Sequence, residues 1–400
     1  MSQKYKIIHL KNGAYEACII KRNALNRVLS MHLNHLFEKV YIVFFKADSN
    51  KLINVGPDCT IFDISGFGSL FSKLKLKFLD SFFSEINLLT RAFKTIKENN
   101  ISVITADEPF LTGLNAIILS FLTGKPAVIY NLADFELYYK TGGRRNMPYL
   151  PRKVELCIER IVFKKAAMVI TDRKFYRDYV IRRGALPLKC KSIRTTTDSF
   201  YFTASPDKGF KREQSWEGKK ILFYFGRLHL EKKIDCLVRC LALIKQKRSD
   251  VIMLLAGEGP HRLEVEELCQ KLRIEQDVYF LGNKSSQDLV NIMSISDILI
   301  ASHAGYSLLE MALSGKPIIA FDYEWHSEFI ENNVNGILVK DGDYQSMAEE
   351  ALKVLFNADI YLQMGLKAKE KALSFNHPVD SLNDERKCYE ILLDKQKAVE

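Results

Sequence analysis

No stretch of this sequence runs apolar for the roughly 18 residues that a membrane-spanning helix needs. The amino-terminal MSQKYK leads toward a strand rather than an apolar signal core, so a cytoplasmic location is expected. Cysteine is present but never as a CxxC pair. Cys236 and Cys240 lie one helical turn apart without a second pair of Cys or His at zinc-site spacing, so reduced thiols are the reading and no disulfide framework is implied. Disorder is excluded by a composition of 47% hydrophobic and 26% charged residues. Acidic residues are outnumbered, 48 Asp and Glu against 58 Lys and Arg, and the net charge of +10 calls for an anionic partner: phosphates, nucleic acid or an acidic membrane surface. No nucleic-acid reading module accompanies the charge, so nucleic acid is not the expected partner. A length of 400 residues exceeds one ordinary core and implies two domains.

What is there is a repeated alternation of short apolar runs with amphipathic stretches, the pattern of a parallel α/β sheet. Tyr5 to Leu10 reads as a first strand closed by Lys11, Asn12 and Gly13, and Val40 to Phe45 as a second. Between 69 and 99, apolar residues at helical spacing interleave with lysines and arginines. A helix packed on its own sheet and a basic face for an anionic membrane both fit that pattern. After the strand Ala127 to Tyr130 comes a long polar and aromatic loop containing Asn131, Asp134, Arg144 and Arg145. Residues 199–219 lack periodicity and read as a linker. The alternation then restarts with Lys220 to Phe225, which leads into GRLHLEKK; Val251 to Ala256 follows and leads into GEGP.

The most informative stretch runs from Asp297 to Gly336. Ile298 to Ala301 is a buried-strand run, and a short loop of Gly305, Tyr306 and Ser307 enters a helix that Gly315 and Pro317 close. Ser307 and Glu310 stand at capping-box spacing, which is the plain reading of that pair. The same loop would let a phosphate approach closely, and a carboxylate one turn on would accept two hydroxyl hydrogens of a ribose. Asp341 and Asp343 form an Asp-x-Asp triplet before a helix, where Asp343 reads as the cap and no metal is expected.

The ordered set GRL with EK, GEGP and LEMALSGKPIIA resembles the signatures of the GT-B glycosyltransferases of family 4, the group 1 glycosyltransferases, from about Lys220 to Val339. The resemblance implies a GT-B fold, an α/β architecture of two doubly wound Rossmann-like domains facing each other across a cleft. It assigns the donor phosphates to Arg227 and Lys232 and the nucleotide ribose to Glu310. Gly226, Gly257, Gly305, Tyr306, Ser307 and Leu308 complete the donor side. Where the family places a His beside the reacting sugar this chain has Asn131, and where it places the first Glu of a Glu-x7-Glu pattern this chain has Ser302. Lys233 replaces a usual Gly. Gly13, Asp134, Arg144 and Arg145 are the acceptor-side candidates.

The expected organisation is an acceptor-side domain over 1–198, a linker over 199–219, a donor-binding domain over 220–378, and a final helix over 379–400 returning to the first domain. The implied activity is metal-independent, retaining transfer of a sugar from a UDP- or GDP-sugar to a saccharide or lipid-linked acceptor in cell-surface glycan assembly. No cofactor is implied, and peripheral contact with the inner membrane face is left open. A nucleotide-sugar 2-epimerase and a nucleotide-sugar-binding scaffold subunit without catalysis are the alternatives.

Overall fold

The structure is a computed structural model that describes residues 5–13, 15, 36–47, 50–65, 77–143, 145, 147, 150–194, 198–207, 210, 216–375 and 378–397. The chain divides into two compact units: 1–133, 145–193 and 379–400 form the first, and 134–144 with 194–378 form the second.

The first unit is built on an eight-stranded sheet. Its strands are β1 (Tyr5–Asn12), β2 (Phe37–Ala47), β3 (Lys51–Val55), β4 (Cys59–Ser65), β5 (Val103–Ala106), β6 (Ala127–Tyr130), β7 (Met168–Thr171) and β8 (Cys190–Ser192). Their order is β3-β4-β2-β1-β5-β6-β7-β8; only β3 runs antiparallel, as a hairpin on β4. The apolar runs of β5 (VITA) and β7 (MVIT) are buried throughout, as strands covered on both faces require. The helix Lys77–Glu98 turns Leu88, Ala92 and Ile96 inward, at the spacing of one helical face. That is the self-packing alternative for its apolar stripe; residues 69–76 of the same stretch lie outside the described residues.

The second unit has a six-stranded, wholly parallel sheet: β9 (Lys220–Phe225), β10 (Val251–Ala256), β11 (Val278–Gly282), β12 (Ile298–Ala301), β13 (Ile318–Asp322) and β14 (Ile337–Lys340). The order is β11-β10-β9-β12-β13-β14, the doubly wound arrangement in which the chain starts at the centre, builds to one edge and then crosses to the other. Helix Ile234–Lys245 buries Ile234, Leu237, Val238, Leu241 and Ile244 against the sheet. Each such side chain contributes up to about 1.5–3 kcal/mol by leaving water.

The division differs from the sequence-based one in two places. Among the described residues of 199–219, which read as a linker, two side chains have docked: Tyr201 and Trp216 are buried, and Trp216 meets Tyr279 edge to face with centroids 5.8 Å apart. Asn291 also clasps Asp207, accepting from its N–H at 2.9 Å and donating to its carboxylate at 2.8 Å. The second difference is Asp134–Arg144, which leaves the first unit after β6 and packs with the second. The helix Pro378–Lys397 lies in the first unit, where Glu385 and Tyr389 hydrogen-bond the buried Tyr130 hydroxyl. No helix among the described residues is long and apolar enough to cross a membrane.

Candidate functional site

In a doubly wound sheet, ligands collect beyond the carboxyl ends of the two central strands where the order reverses. In the second unit those strands are β9 and β12, paired through Ile298 with Leu222 and Leu299 with Phe223. Their carboxyl ends release two loops, Gly226–Lys233 and Ser302–Tyr306.

The first loop is held by backbone packing. Gly226 N–H donates to the Ala256 carbonyl at 2.9 Å, and Leu228 N–H donates to that of Glu258 at 3.0 Å. A Cβ on Gly257 would lie 1.9 Å from the Gly226 oxygen, and one on Gly259 2.1 Å from that of Leu228. Backbone packing alone therefore accounts for the glycines of the GEGP turn, at which two turns interlock. Gly226, at φ 155, has the Tyr224 hydroxyl where its own Cβ would be. Tyr224 is buried beneath the loop, which pushes its phenol pKa up, and its hydroxyl donates to the Arg227 carbonyl at 3.4 Å. The first-Glu position is filled by Ser302, fully buried and with no hydrogen-bond partner for its hydroxyl among the described residues.

Arg227 stands mostly exposed, its guanidinium 3.4 Å from the carboxylate of Glu231. Glu231 is buried and also lies 3.2 Å from His229, so it aims Arg227 from below. Sequence reasoning passed over Glu231, although it sits inside the GRLHLEK motif. Lys232 is half-buried, and its ammonium donates to the His303 carbonyl. Burial, then the Arg227 charge, lower the Lys232 pKa, with Glu324 and Glu231 opposing. A lysine held this way sits ready for a further anionic partner.

Lys233 adopts a left-handed conformation, φ 49, where a glycine would fit without strain. Its side chain compensates by pairing with Asp341 at 2.7 Å. The other Asp341 oxygen accepts from His303 Nε2 at 2.7 Å. Burial alone would raise the Asp341 pKa, but the bonds from His303 and Lys233 outweigh it and hold the carboxyl below its usual value. Asp343, next but one, caps the following helix by accepting from Ser346 N–H at 3.0 Å.

In the second loop a Cβ on Gly305 would meet nothing within 4 Å, and the residue is exposed. The scaffold itself does not demand glycine there. Helix Ser307–Leu313 begins after Tyr306 with no side-chain cap bond, so the capping box expected of Ser307 and Glu310 is not what starts it. Leu308 is fully buried and its N–H donates to the Gly305 carbonyl at 3.2 Å, which commits it to the scaffold rather than to a ligand. Glu310 is half-buried on the same helix; burial first, then Glu310, raise the pKa of Tyr201 beside it. His326 lies under the loop with its ring nitrogens 2.7 Å from the Phe321 carbonyl and 2.9 Å from that of Ala304. Burial lowers its pKa.

The acceptor-side candidates separate. Gly13 ends β1 at φ 122, a backbone that needs glycine, near the carboxyl end of β5, where Asp107 pairs with Lys11 at 2.5 Å. Asn131 is fully buried after β6, its amide donating to the Ala133 carbonyl at 2.7 Å. Asp134 is grouped with the second unit, where it caps helix Phe135–Lys140 through Leu137 N–H at 2.9 Å. It is therefore not an acceptor-side group of the first unit. Arg145 is engaged internally, donating to the buried Glu155 at 2.9 Å and to the Leu150 carbonyl at 2.7 Å, and so is not available to bind an anion. Arg144 lies outside the described residues. The structure thus gathers Gly226, Arg227, Lys232, Gly305, Tyr306 and Ser307 at one switch point, with Glu310 one turn further on.

Comparison with known proteins points the same way. Residues 207–371 match the family described as glycosyl transferases group 1. The chain is 27% identical over 241 residues to a putative glycosyltransferase, EpsD, of Bacillus subtilis (strain 168), covering 58% of this chain and 63% of that protein. Over 164 residues it is 27% identical to a poly(ribitol-phosphate) alpha-N-acetylglucosaminyltransferase of Staphylococcus aureus (strain COL), covering 40% and 33% respectively. The chain thus spans under two thirds of the length of these curated relatives. Among solved structures, it superposes on sucrose-phosphate synthase of Thermosynechococcus elongatus with a TM-score of 0.77 at 16% identity, covering 97% of this chain and 99% of that one. Anabaena HepE in complex with UDP gives 0.70 at 18% identity, covering 95% and 98%. The fold is GT-B.

Proposed function

We propose that this protein is a retaining, metal-independent glycosyltransferase of family 4 that takes its sugar from a nucleoside-diphosphate sugar. The observation that carries the reading is the β9/β12 switch point, where an exposed Arg227 and a half-buried Lys232 stand beside an open glycine loop and Glu310. In such a transfer the bond from the anomeric carbon to the diphosphate oxygen breaks, and negative charge grows on the diphosphate. Arg227 would bind that charge through paired N–H groups and Lys232 as a point charge, while Glu310 would hold the ribose hydroxyls. Donors aimed in advance at developing charge lower the barrier without a metal. The acceptor would be a saccharide or lipid-linked saccharide of a surface glycan, as the relatives' names encourage, bound by the first unit near Gly13 and Asn131, with peripheral membrane contact.

The test is thermal unfolding with UDP and with GDP, in wild type and Glu310→Ala. A ligand at a hundred times its dissociation constant adds about 2.7 kcal/mol of stability. One of the two is expected to raise the wild-type midpoint, and Glu310→Ala to lose that response; no response to either removes the donor site. A second reading rests on the buried Ser302 standing where the family has a carboxylate: a nucleotide-sugar-binding subunit without turnover. Binding of the nucleotide without hydrolysis or transfer of any UDP- or GDP-sugar would favour it.

A further inference from the structure

Lys232 is half-buried, and an ammonium drawn out of water needs a fixed acceptor or it loses its charge. Its acceptor is a backbone carbonyl, that of His303, so whatever fixes residue 303 also fixes the ammonium. His303 lies two residues beyond β12 and Tyr323 one beyond β13, strands paired in register through Ala301 and Ala320. The two rings therefore leave neighbouring strands at the same edge of the sheet. They stack face to face with centroids 3.5 Å apart and planes 6° from parallel. His303 is 2% exposed and Tyr323 8%. At the rim of the ring, His303 Nε2 donates to Asp341, which Lys233 also holds.

We propose that Tyr323 is a positioning residue for Lys232: its ring pins the ring of His303, and with it the carbonyl that receives the Lys232 ammonium. Asp341 fixes the His303 ring by its edge and Tyr323 by its face, so neither the ring nor the adjoining backbone can turn. The proposal uses the donor reading only for what Lys232 does next.

The test compares wild type, Tyr323→Phe, Tyr323→Leu and His303→Ala, with two measurements. The first is acetylation of Lys232 by acetic anhydride in the ligand-free protein, followed by peptide mass spectrometry. The second is calorimetric binding of UDP and GDP. Tyr323→Leu and His303→Ala, which each remove one ring of the stack, are expected to label Lys232 faster and to weaken diphosphate binding by about tenfold. Tyr323→Phe keeps the ring and is expected to stay within about twofold of wild type on both measures. Wild-type labelling in both ring-deleted variants overturns the proposal, and so does a Phe variant that behaves like the Leu variant. If wild type binds neither nucleotide while the labelling order holds, the positioning role stands and the donor reading falls.

Discussion

The two sheets share a winding scheme but spend their switch points differently. At β9 and β12 the loops bring together an exposed arginine, a half-buried lysine and an open glycine. At β1 and β5 the corresponding charges satisfy one another: Lys11 pairs with Asp107, and the buried Glu108 accepts from the N–H groups of Phe110 and Thr112. A shared winding scheme therefore provides the place for a ligand, while side chains left incompletely matched, among the described residues, provide the reason to bind one. The family match, residues 207–371, falls on the unit of the second kind.

The sharpest way to break this contrast is to remove charge from each switch point in turn. Arg227→Ala is expected to lower turnover at saturating donor by about 100-fold or more, measured as kcat. Unchanged kcat would take Arg227 out of the site. The glycines offer a second contrast within the second unit. Gly257→Ala forces a methyl into the Gly226 carbonyl and is expected to cost about 3 kcal/mol in denaturant unfolding. Gly305→Ala meets nothing and is expected to leave stability within about 0.5 kcal/mol while weakening nucleotide binding.

Asp341→Asn is expected to cost about 1–2 kcal/mol at neutral pH. Because the folded Asp341 titrates below its unfolded value of about 3.9, its contribution is present above that value and lost as pH falls through the folded one. The variant should accordingly show a flatter decline in stability on the acid side. Lys232, with its pKa lowered, should make nucleotide affinity fall with rising pH earlier than a free lysine at about 10.4 would; a flat profile up to that pH would contradict its charge at the site. The smallest effect belongs to the first unit. Asp107→Asn breaks a partly exposed pair and is expected to cost under about 1 kcal/mol and leave nucleotide binding unchanged.

The strands of the second unit were legible because parallel strands covered on both faces must be continuously apolar, as β10 and β12 are. Arg227, Lys232 and Glu310 were legible as members of spaced motifs. His303 and Asp341 were not: they stand 38 residues apart and meet only because β12 and β14 flank β13. Asp134 and Arg145 misled because a polar loop looks the same whether its charges face a ligand or a helix end and a buried Glu155. Tyr201 and Trp216 docked without periodicity, which is why their segment read as linker.

The return of the helix Pro378–Lys397 to the first unit bears on how the protein is made. Tyr130 and its partner Glu385 are 255 residues apart, with the whole second unit between them. At roughly 5–20 residues per second, translation delivers that partner some tens of seconds after Tyr130 itself. Until then the first unit lacks Tyr389 and Leu393 from its core and leaves a phenol without its acceptor. During synthesis the later unit is thus the first able to close, and completion of the earlier one waits on it.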